Sequence, residues 1–416
     1  MFRNYIITAW KVFLRRKFFT FIILFGISLT LMVLIVISTI AENYFYPTGP
    51  EKRADNIRVI NSLMLTNEER NSTSTGRLGY KFIQDNVYRL QSPELISLNS
   101  GARKTTLFQQ GMKYSQLVKK TDSNFWKILA FDFIQGRGFS DEEYQKGSFV
   151  AVINRQTQAE MFNGKSAIGE ELSFDKQRFT IIGVVENVSA VEETALSDIW
   201  VPYTTNPSTE YQQQTTGGWE VLLYHSNADI IKDVNKEYVN LLKNDVLLSE
   251  PSGFTSAFSG AYSKLELLSR EVFSSAYSYE TYTGLLVALI SGLVFAFMLL
   301  PSINMVNLNI SRMMERMSEI GVRRAFGASK KQLLLQFIIE TVLLTLVGGI
   351  VGILLSVFML NAIEASLLIP YAQFSFNYRV LLLALLLILI FGIISGAYPA
   401  YKMSRLDPIS ALKGGR

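Results

Sequence analysis

Long apolar runs flank a mixed polar segment in this 416-residue chain. Asp, Glu, Lys and Arg are absent from four gaps, which lie between Lys17 and Glu42, Glu280 and Arg312, Glu340 and Glu364, and Arg379 and Lys402. Each gap exceeds the roughly 20 residues that cross about 30 Å of hydrocarbon as a helix. The pattern therefore predicts four transmembrane helices, one before and three after the polar segment.

The first apolar run has a second interpretation, as a cleaved signal peptide. The hydrophobic region of such a peptide spans about 7–15 residues and precedes a small-residue cleavage site. Here the run is longer and no convincing A-x-A site follows it. We therefore favour a retained membrane anchor.

Between the first and second apolar runs, residues 42–280 mix two periodicities. Strand-like apolar segments such as Trp219–Tyr224 alternate with helical ones such as Arg155–Phe162, which Asn154 can cap. Residues 66–77 are rich in Asn, Ser, Thr and Gly, and this composition predicts a mobile loop. The fold class predicted is an α+β membrane protein with a large extracytoplasmic α+β domain inserted between the first and second transmembrane helices.

The predicted organisation covers the whole chain. It comprises a cytoplasmic amphipathic helix (1–17), the first transmembrane helix (18–41), the extracytoplasmic domain (42–280) and a membrane domain (281–416) with helices at about 282–308, 333–360 and 380–401, a cytoplasmic segment at 309–332 and a cytoplasmic tail at 402–416.

Charge predicts the orientation. Residues 1–17, 309–332 and 402–416 together hold 15 Lys and Arg and three acids, whereas the rest holds 25 Lys and Arg and 32 acids. Since basic flanks stay in the cytoplasm, both termini and the 309–332 segment are predicted to lie inside. These basic residues lie at the ends of apolar runs rather than among aromatic side chains, which favours lipid and argues against nucleic acid as a partner.

The composition limits the kinds of catalytic, cofactor or metal site that the chain can form. The mean hydropathy of +0.22 is high for a soluble protein. Cysteine is absent and His225 is the only histidine, which excludes disulfides and His/Cys zinc sites. Gly164-Lys165-Ser166 lacks the glycine that a phosphate-binding loop requires five positions earlier, where Ala159 stands. We identify no catalytic, cofactor or metal site, and this argues against a membrane-anchored hydrolase.

Small residues recur at helical spacing in the last three apolar runs. Such ridges let helices approach closely in lipid, either within one chain or between two copies. The glycines predicted to serve this packing are Gly284, Gly292, Gly348, Gly352, Gly392 and Gly396.

The predicted cytoplasmic segment between the second and third apolar runs contains the most specific local motifs in the sequence. Glu319 precedes Arg323 by four residues, the favourable order for a helical ion pair. Gly327 can adopt the left-handed conformation that ends a helix. Ser329 and Gln332 have the spacing of a capping box, which starts the next helix. These signals predict a rigid corner.

Ile320, Val322 and Phe326 would present apolar side chains beside this corner. A fixed corner with exposed apolar groups suits a protein dock. The alternative is a basic anchor to lipid headgroups, which requires neither the glycine turn nor the apolar groups. Glu340, in the third run, has two open interpretations: a functional acid within the membrane or an ion-pair partner at the interface.

At these residues the chain resembles the FtsX-like permeases of MacB-type ABC transporters. The stretches that carry the resemblance are Ser318–Ser329 with Gln336, Phe337 and Glu340; Gly396–Ala400 with Leu406–Leu412; and Gly136–Ser140, Val150–Asn154, Ile168-Gly169 and Ile182–Val185, which are similar to a MacB-like periplasmic core domain.

The resemblance implies partners that composition does not reveal. A cytoplasmic ATPase on a separate chain would bind ATP and Mg, and a second permease copy or a paralogue would complete a dimer in the bacterial inner membrane. A periplasmic adaptor or a hydrolase is a further partner that the family admits. The residues that would contact the ATPase are Glu319, Ile320, Gly321, Arg323, Arg324, Ala325, Phe326, Gly327, Ala328 and Ser329.

The implied function is mechanotransmission rather than catalysis. ATP hydrolysis in the partner would move the extracytoplasmic domain and drive export or extraction of a substrate on the outer side. The alternative is a signal transducer of the same architecture that regulates a periplasmic cell-wall hydrolase.

Overall fold

A computed structural model describes most of the chain. The described residues are 7, 11, 13–15, 17–67, 69, 71–109, 111–248, 253–273, 279–314, 322, 326, 327, 329–366, 368–372, 374, 379, 382, 386, 390, 393, 397 and 401. They divide into a helical unit (1–42, 287–368 and 374–416) and an α+β unit (43–286 and 369–373).

The helices alternate with short strands. The helices are α1 (Lys17–Phe45), α2 (Tyr80–Asn86), α3 (Asn124–Ile128), α4 (Asp141–Gln145), α5 (Arg155–Phe162), α6 (Ala228–Asn244), α7 (Lys264–Phe273), α8 (Thr283–Met314) and α9 (Lys330–Ser366). The strands are β1 (Ile57–Ile60), β2 (Leu63–Asn67), β3 (Ser72–Leu78), β4 (Leu95–Ser100), β5 (Arg103–Gln109), β6 (Met112–Thr121), β7 (Phe133–Gly136), β8 (Val150–Asn154), β9 (Glu171–Phe174), β10 (Gln177–Val185), β11 (Ile199–Pro202), β12 (Thr216–Gly217), β13 (Trp219–Tyr224) and β14 (Ser256–Phe258).

The strands of the α+β unit form one continuous network. Its order is β14-β2-β3-β13-β4-β6-β11-β8-β10-β7, and β1, β12, β5 and β9 pair at its side with β13, β3, β6 and β10. The pairs β8–β10 and β6–β11 are parallel, and the other pairs are antiparallel. Since a parallel pair needs a crossover, α5 follows β8 and covers the sheet before the chain returns along β10.

Beside a smaller apolar core around Phe125 and Trp200, two larger ones lie along this network. One gathers side chains from β2, β4, β13 and α6, whose buried residues Ile231, Val234, Tyr238 and Leu242 recur at helical spacing. The other joins Phe162 of α5 to β8, β10 and β11. The predicted helix at Arg155–Phe162 is confirmed, and the Asn154 side chain accepts a hydrogen bond from the Thr157 amide as its cap.

The loop predicted at residues 66–77 is wrong. Ser72–Leu78 forms β3, which pairs antiparallel with β2 from Leu63 opposite Gly76 to Asn67 opposite Ser72. Alternate Ser and Thr side chains of β3 lie at the surface, and β-branched Thr favours extended backbone. The polarity that suggested a loop belongs to the exposed face of a paired strand.

In the helical unit, α1 packs along α9. Ile23, Ile27 and Leu31 of α1 form a buried cluster with Leu344. Lys17–Phe45 and Leu335–Ser366 are long and apolar enough to cross a membrane, while Thr283–Phe297 is a shorter apolar stretch. Helices α1 and α9 extend beyond both ends that the sequence predicted. Much of the predicted helices at 1–17 and 380–401 lies outside the described residues.

Candidate coupling site

The corner after α8 has the predicted backbone at its described positions. Gly327 has φ of +90°, in the left-handed region, and the Phe326 amide donates to the Val322 carbonyl at 3.1 Å. The Ser329 amide donates to Gln332 Oε1 at 3.0 Å, and the Gln332 amide donates to Ser329 Oγ at 3.3 Å. The capping box and the glycine stop are therefore confirmed.

Phe326 is the prominent side chain of this corner. It is 88% exposed, and Val322, one helical turn earlier, is also exposed. A large apolar ring held in solvent by a fixed backbone is a candidate contact for another protein. The remaining residues predicted for this site lie outside the described residues; they are Glu319, Ile320, Gly321, Arg323, Arg324, Ala325 and Ala328.

The predicted packing glycines differ in their surroundings. A Cβ added at Gly348 would lie 3.0 Å from Ile27 Cγ2, and one added at Gly352 would lie 3.0 Å from the Ser28 carbonyl oxygen. In contrast, a Cβ at Gly284 or at Gly292 would meet no atom of the described chain within 4 Å. Gly392 and Gly396 lie outside the described residues.

Ser28 adds a polar link between α1 and α9. Its hydroxyl lies 3.0 Å from the Gly348 carbonyl oxygen and 2.6 Å from that of Leu24. Glu340 of α9 is buried, and one of its carboxylate oxygens accepts from Gln336 Nε2 at 3.0 Å. Buried polar groups on an apolar helix require such partners.

A second candidate site lies in the α+β unit, in the loop between β10 and β11. We call residues 189–198 the junction segment. Most loops lie at the surface, yet Glu192, Ala195 and Asp198 are buried. Trp200 Nε1 donates to the Ala195 carbonyl at 3.2 Å, and buried Lys119 donates to the Thr194 carbonyl at 2.5 Å. The segment is therefore fixed to the sheet behind it.

The chain that follows α1 contacts the junction segment directly. Glu192 Oε1 accepts from the Glu51 amide at 3.3 Å, and Glu51 Oε1 accepts from the Ala195 amide at 2.8 Å. A Cβ at Gly49 would collide with the Glu192 carboxylate, so glycine lets the chain approach Glu192 closely. Burial, followed by the nearby Glu51 carboxylate, raises the pKa of Glu192 to about 7.

Helix α7 joins the same cluster through Lys264. Its ammonium group pairs with the Glu51 carboxylate and donates to the Tyr44 carbonyl at 3.2 Å. The Glu51 side chain is 3% exposed and the Lys264 side chain 16%. Removing either partner would leave a buried charge unpaired, which is strongly destabilising.

A third stretch, residues 369–373, comes from the chain after α9. The Ala190 amide donates to the Pro370 carbonyl at 2.9 Å, and the Tyr371 hydroxyl donates to Asp198 Oδ1 at 3.0 Å. The same Asp198 carboxylate accepts from Asn154 Nδ2 at 2.9 Å. Tyr371 has φ of +55°, an uncommon conformation for a residue with a Cβ.

Two separate parts of the chain thus contact the junction segment directly, one that follows α1 and one that follows α9. Helix α7, which precedes α8, is linked to it through Glu51. Sequence reasoning missed this site because each contact joins residues far apart in the chain, such as Glu51 and Glu192. A local signal was present only in Gly49 and Pro370, which mark turns.

Gly164 and His225, which the sequence analysis considered as possible parts of a phosphate-binding or metal site, make ordinary structural contacts. The Gly164 amide donates to the Gln158 carbonyl at 3.4 Å, at the end of α5. His225 Nδ1 accepts from the Asn227 amide at 2.8 Å, and its Nε2 lies 3.5 Å from Glu94. Within the described part of the chain, no cluster of three His, Asp or Glu side chains has metal-binding geometry.

Comparison with known proteins places these features in a family. The profile of the MacB-like periplasmic core domain matches residues 20–236, and that of the FtsX-like permease C-terminal domain matches residues 276–408. YknZ of Bacillus subtilis, described as an uncharacterized ABC transporter permease, is 27% identical over 71% of this chain and 69% of YknZ.

A second relative is the macrolide export ATP-binding/permease protein MacB of Photorhabdus laumondii. It is 32% identical over 72% of this chain and 43% of that protein, so the chain spans less than half of its length. The solved extracellular domain of YknZ from Gram-positive bacteria aligns over 49% of this chain and 99% of that domain, with 17% identity and a TM-score of 0.38.

The family resemblance carried by the sequence motifs is confirmed. The periplasmic core profile alone matches more than half of the chain, and the permease profile includes the corner at Gly327 and α9. The chain belongs to the FtsX-like ABC transporter permeases of the MacB type, which join a MacB-like periplasmic core domain to an FtsX-like C-terminal domain.

Proposed function

We propose that this chain is a permease subunit that couples ATP hydrolysis by a separate cytoplasmic ATPase to movement of its extracytoplasmic α+β unit. That movement drives export or extraction of a substrate on the outer side of the membrane. The chain itself transmits movement. It contacts the ATPase on the cytoplasmic side of the membrane and displaces its α+β unit on the outer side. ATP and Mg belong to the partner.

The proposed topology has four membrane helices, one before and three after the α+β unit. Both termini and the corner at Gly327 face the cytoplasm of a bacterial inner membrane. The length and apolarity of α1 and α9 support two of the spans, and the charge asymmetry supports the orientation. A Cβ at Gly292 on α8 would meet no atom within 4 Å in the described part of the chain, and we propose that a second permease copy packs at that face.

The junction segment is the observation that carries this proposal. The chain after α1 and the chain after α9 contact this buried loop, and α7, which precedes α8, is linked to it through Glu51. A displacement of α1, α8 or α9 would therefore act on the same ten residues. The links are short and specific, and the Glu51–Lys264 ion pair is buried. Buried ion pairs and close packing resist continuous deformation. A pull on this loop would therefore move the sheet to which it is fixed.

The corner at Gly327, on the proposed cytoplasmic side, is where movement of the ATPase would act on the permease. Because Gly327 and the capping box fix the direction of α9 at its first turn, a push on Phe326 is passed to the helix. The names of two relatives support the direction of transport: MacB is a macrolide export protein and PvdT of Pseudomonas syringae a pyoverdine export protein. The cargo of this chain is a separate question.

Site-directed crosslinking tests the proposed ATPase contact. Because the chain lacks cysteine, Phe326→Cys provides a single attachment point for a photoreactive maleimide in native membranes. We expect it to capture a protein that hydrolyses ATP. Phe108→Cys, a side chain 63% exposed on the α+β unit, is the matched control and should capture no ATPase. Capture from both positions, or from neither, would contradict the proposal.

A further inference from the structure

A cleft of about 750 Å³ opens in the α+β unit. Its walls come from β3, β5, β6, the 206–214 loop and the start of β13, and they share no residue with the junction segment. It lies where the two apolar cores approach each other, since Trp219 belongs to one and Val118 to the other. Its volume is typical of a small-molecule site.

Three cations line the cleft, and for two of them the described residues include no carboxylate partner. Arg77 Nη1 lies 3.5 Å from Glu220 Oε2. Lys120 Nζ lies 2.5 Å from Asn206 Oδ1, which is a neutral acceptor. Within the described part of the chain, neither Lys120 nor Arg103 has a carboxylate oxygen within ion-pair distance.

The charge around Lys120 favours an incoming anion. Burial lowers the pKa of Lys120, the positive charge of Arg103 lowers it further, and Asp175 opposes both effects. Asp175 and Glu210 also line the cleft, but both are exposed to solvent, which screens them. An anion between Lys120 and Arg103 would relieve the repulsion between these two cations.

One wall of the cleft is aromatic. The rings of Tyr211 and Trp219 lie 5.6 Å apart at 55°, and Trp219 is 6% exposed. Gly218 lines the same cleft, and a Cβ there would meet no atom of the described chain within 4 Å, so the space beside Gly218 is open. Aromatic side chains next to an open volume offer contact area to a planar or alicyclic body.

We propose that this cleft binds an organic anion in which an aromatic or alicyclic body carries a carboxylate. The carboxylate lies between Lys120 and Arg103, where charge-assisted hydrogen bonds are strongest. The body lies against Tyr211 and Trp219. The proposal does not rest on the coupling role, because ligand binding can be measured on the permease without nucleotide or ATPase.

Two fluorescent probes that differ in charge test the proposal on the full chain in detergent. Dansylglycine carries a carboxylate, and dansylamide is its neutral counterpart. Trp219 lies within energy-transfer range of a dansyl group held in the cleft. We expect saturable dansylglycine binding and at least tenfold weaker binding of dansylamide. Equal binding of both probes, after subtraction of the detergent blank, would overturn the proposed anion site.

Variants locate the binding within the protein. Arg103→Gln removes an exposed cation and should weaken dansylglycine binding about tenfold. Lys236→Gln removes the same charge from the exposed face of α6, where the side chain is 80% exposed, and should leave binding unchanged. Gly218→Leu fills the cleft without changing its charge and should abolish binding, with thermal unfolding as the check on its fold. Wild-type affinity in both Arg103→Gln and Gly218→Leu would exclude the cleft as the site.

Discussion

At the residue scale, the positions that sequence could predict are those whose signal is local. Gly327, Ser329 and Gln332 lie within six residues, and the backbone they specify forms without help from distant contacts. The same holds for Asn154 as the cap of α5. The burial of Glu192 could not be predicted in this way, because it depends on Gly49 and Glu51, which lie elsewhere in the chain.

The left-handed backbone of Gly327 leads to a prediction about coupling. Gly327→Leu places a branched side chain in a conformation that costs about 1–2 kcal/mol. We expect stimulation of the partner ATPase to fall on the order of 5- to 30-fold, with membrane insertion intact. Gly327→Asn is the matched control, because Asn tolerates this conformation, and it should retain most of the stimulation. ATPase assays of the reconstituted complex decide between these outcomes.

The raised pKa of Glu192 predicts a pH dependence of stability. Since its pKa of about 7 in the folded protein exceeds its ordinary value of 4.5, the folded state binds more protons between these values. The free energy of unfolding should therefore decrease as pH rises from about 5 to 8, by up to about 3 kcal/mol from this group. Buried Asp122, whose pKa is raised to about 6, contributes in the same range.

Thermal unfolding of the full chain between pH 5 and 8 checks this dependence. Glu192→Gln should flatten the profile in part, because Asp122 remains. Glu171→Gln, at a carboxylate that is 57% exposed, should leave the profile unchanged. A wild-type slope in Glu192→Gln would show that this carboxyl group is ionised throughout the range.

At the element scale, apolar periodicity predicted α5 and the strand at Trp219–Tyr224, because the helix buries one face and the strand lies in the core. It failed at β3, whose exposed Ser and Thr resemble a loop in composition. What makes β3 a strand is its pairing with β2. The junction segment escaped prediction for a related reason, since a loop that is buried by distant partners has no periodicity.

Gly348 and Gly292 differ in how close other atoms lie to them, and this difference predicts that a side chain at position 348, but not at 292, would disturb the packing of α1 against α9. Gly348→Leu drives a side chain into Ile27 and Leu24, and overpacking of this kind costs typically 1–3 kcal/mol. Gly292→Leu should leave the stability of the isolated protomer unchanged, because the position is open in the described chain. Unfolding in detergent measures the first effect. Equal destabilisation by both substitutions would contradict the assignment.

The same pair of variants separates packing within a chain from packing between copies. If the face of α8 at Gly292 meets a second copy, Gly292→Leu should lower the fraction of dimer at a fixed concentration. Gly348→Leu should affect dimers only through the stability of each protomer. Crosslinking yield across a range of protein concentrations provides the measurement.

At the scale of the whole molecule, the family assignment and the junction segment support the same function from independent observations. The profiles identify an ABC transporter permease, and residues 189–198 are where we propose that displacement enters the α+β unit. The anion cleft lies apart from that place, so binding and movement can be altered by different substitutions.

The distance between the α+β units of two copies tests the central claim most directly. Spin labels on Phe108→Cys report this distance by pulsed electron paramagnetic resonance in the complex with the ATPase. We expect ATP with vanadate to shift the distance distribution, and Tyr371→Phe, which removes the hydrogen bond to Asp198, to reduce the shift while hydrolysis continues. Identical distributions with and without nucleotide would contradict mechanical coupling.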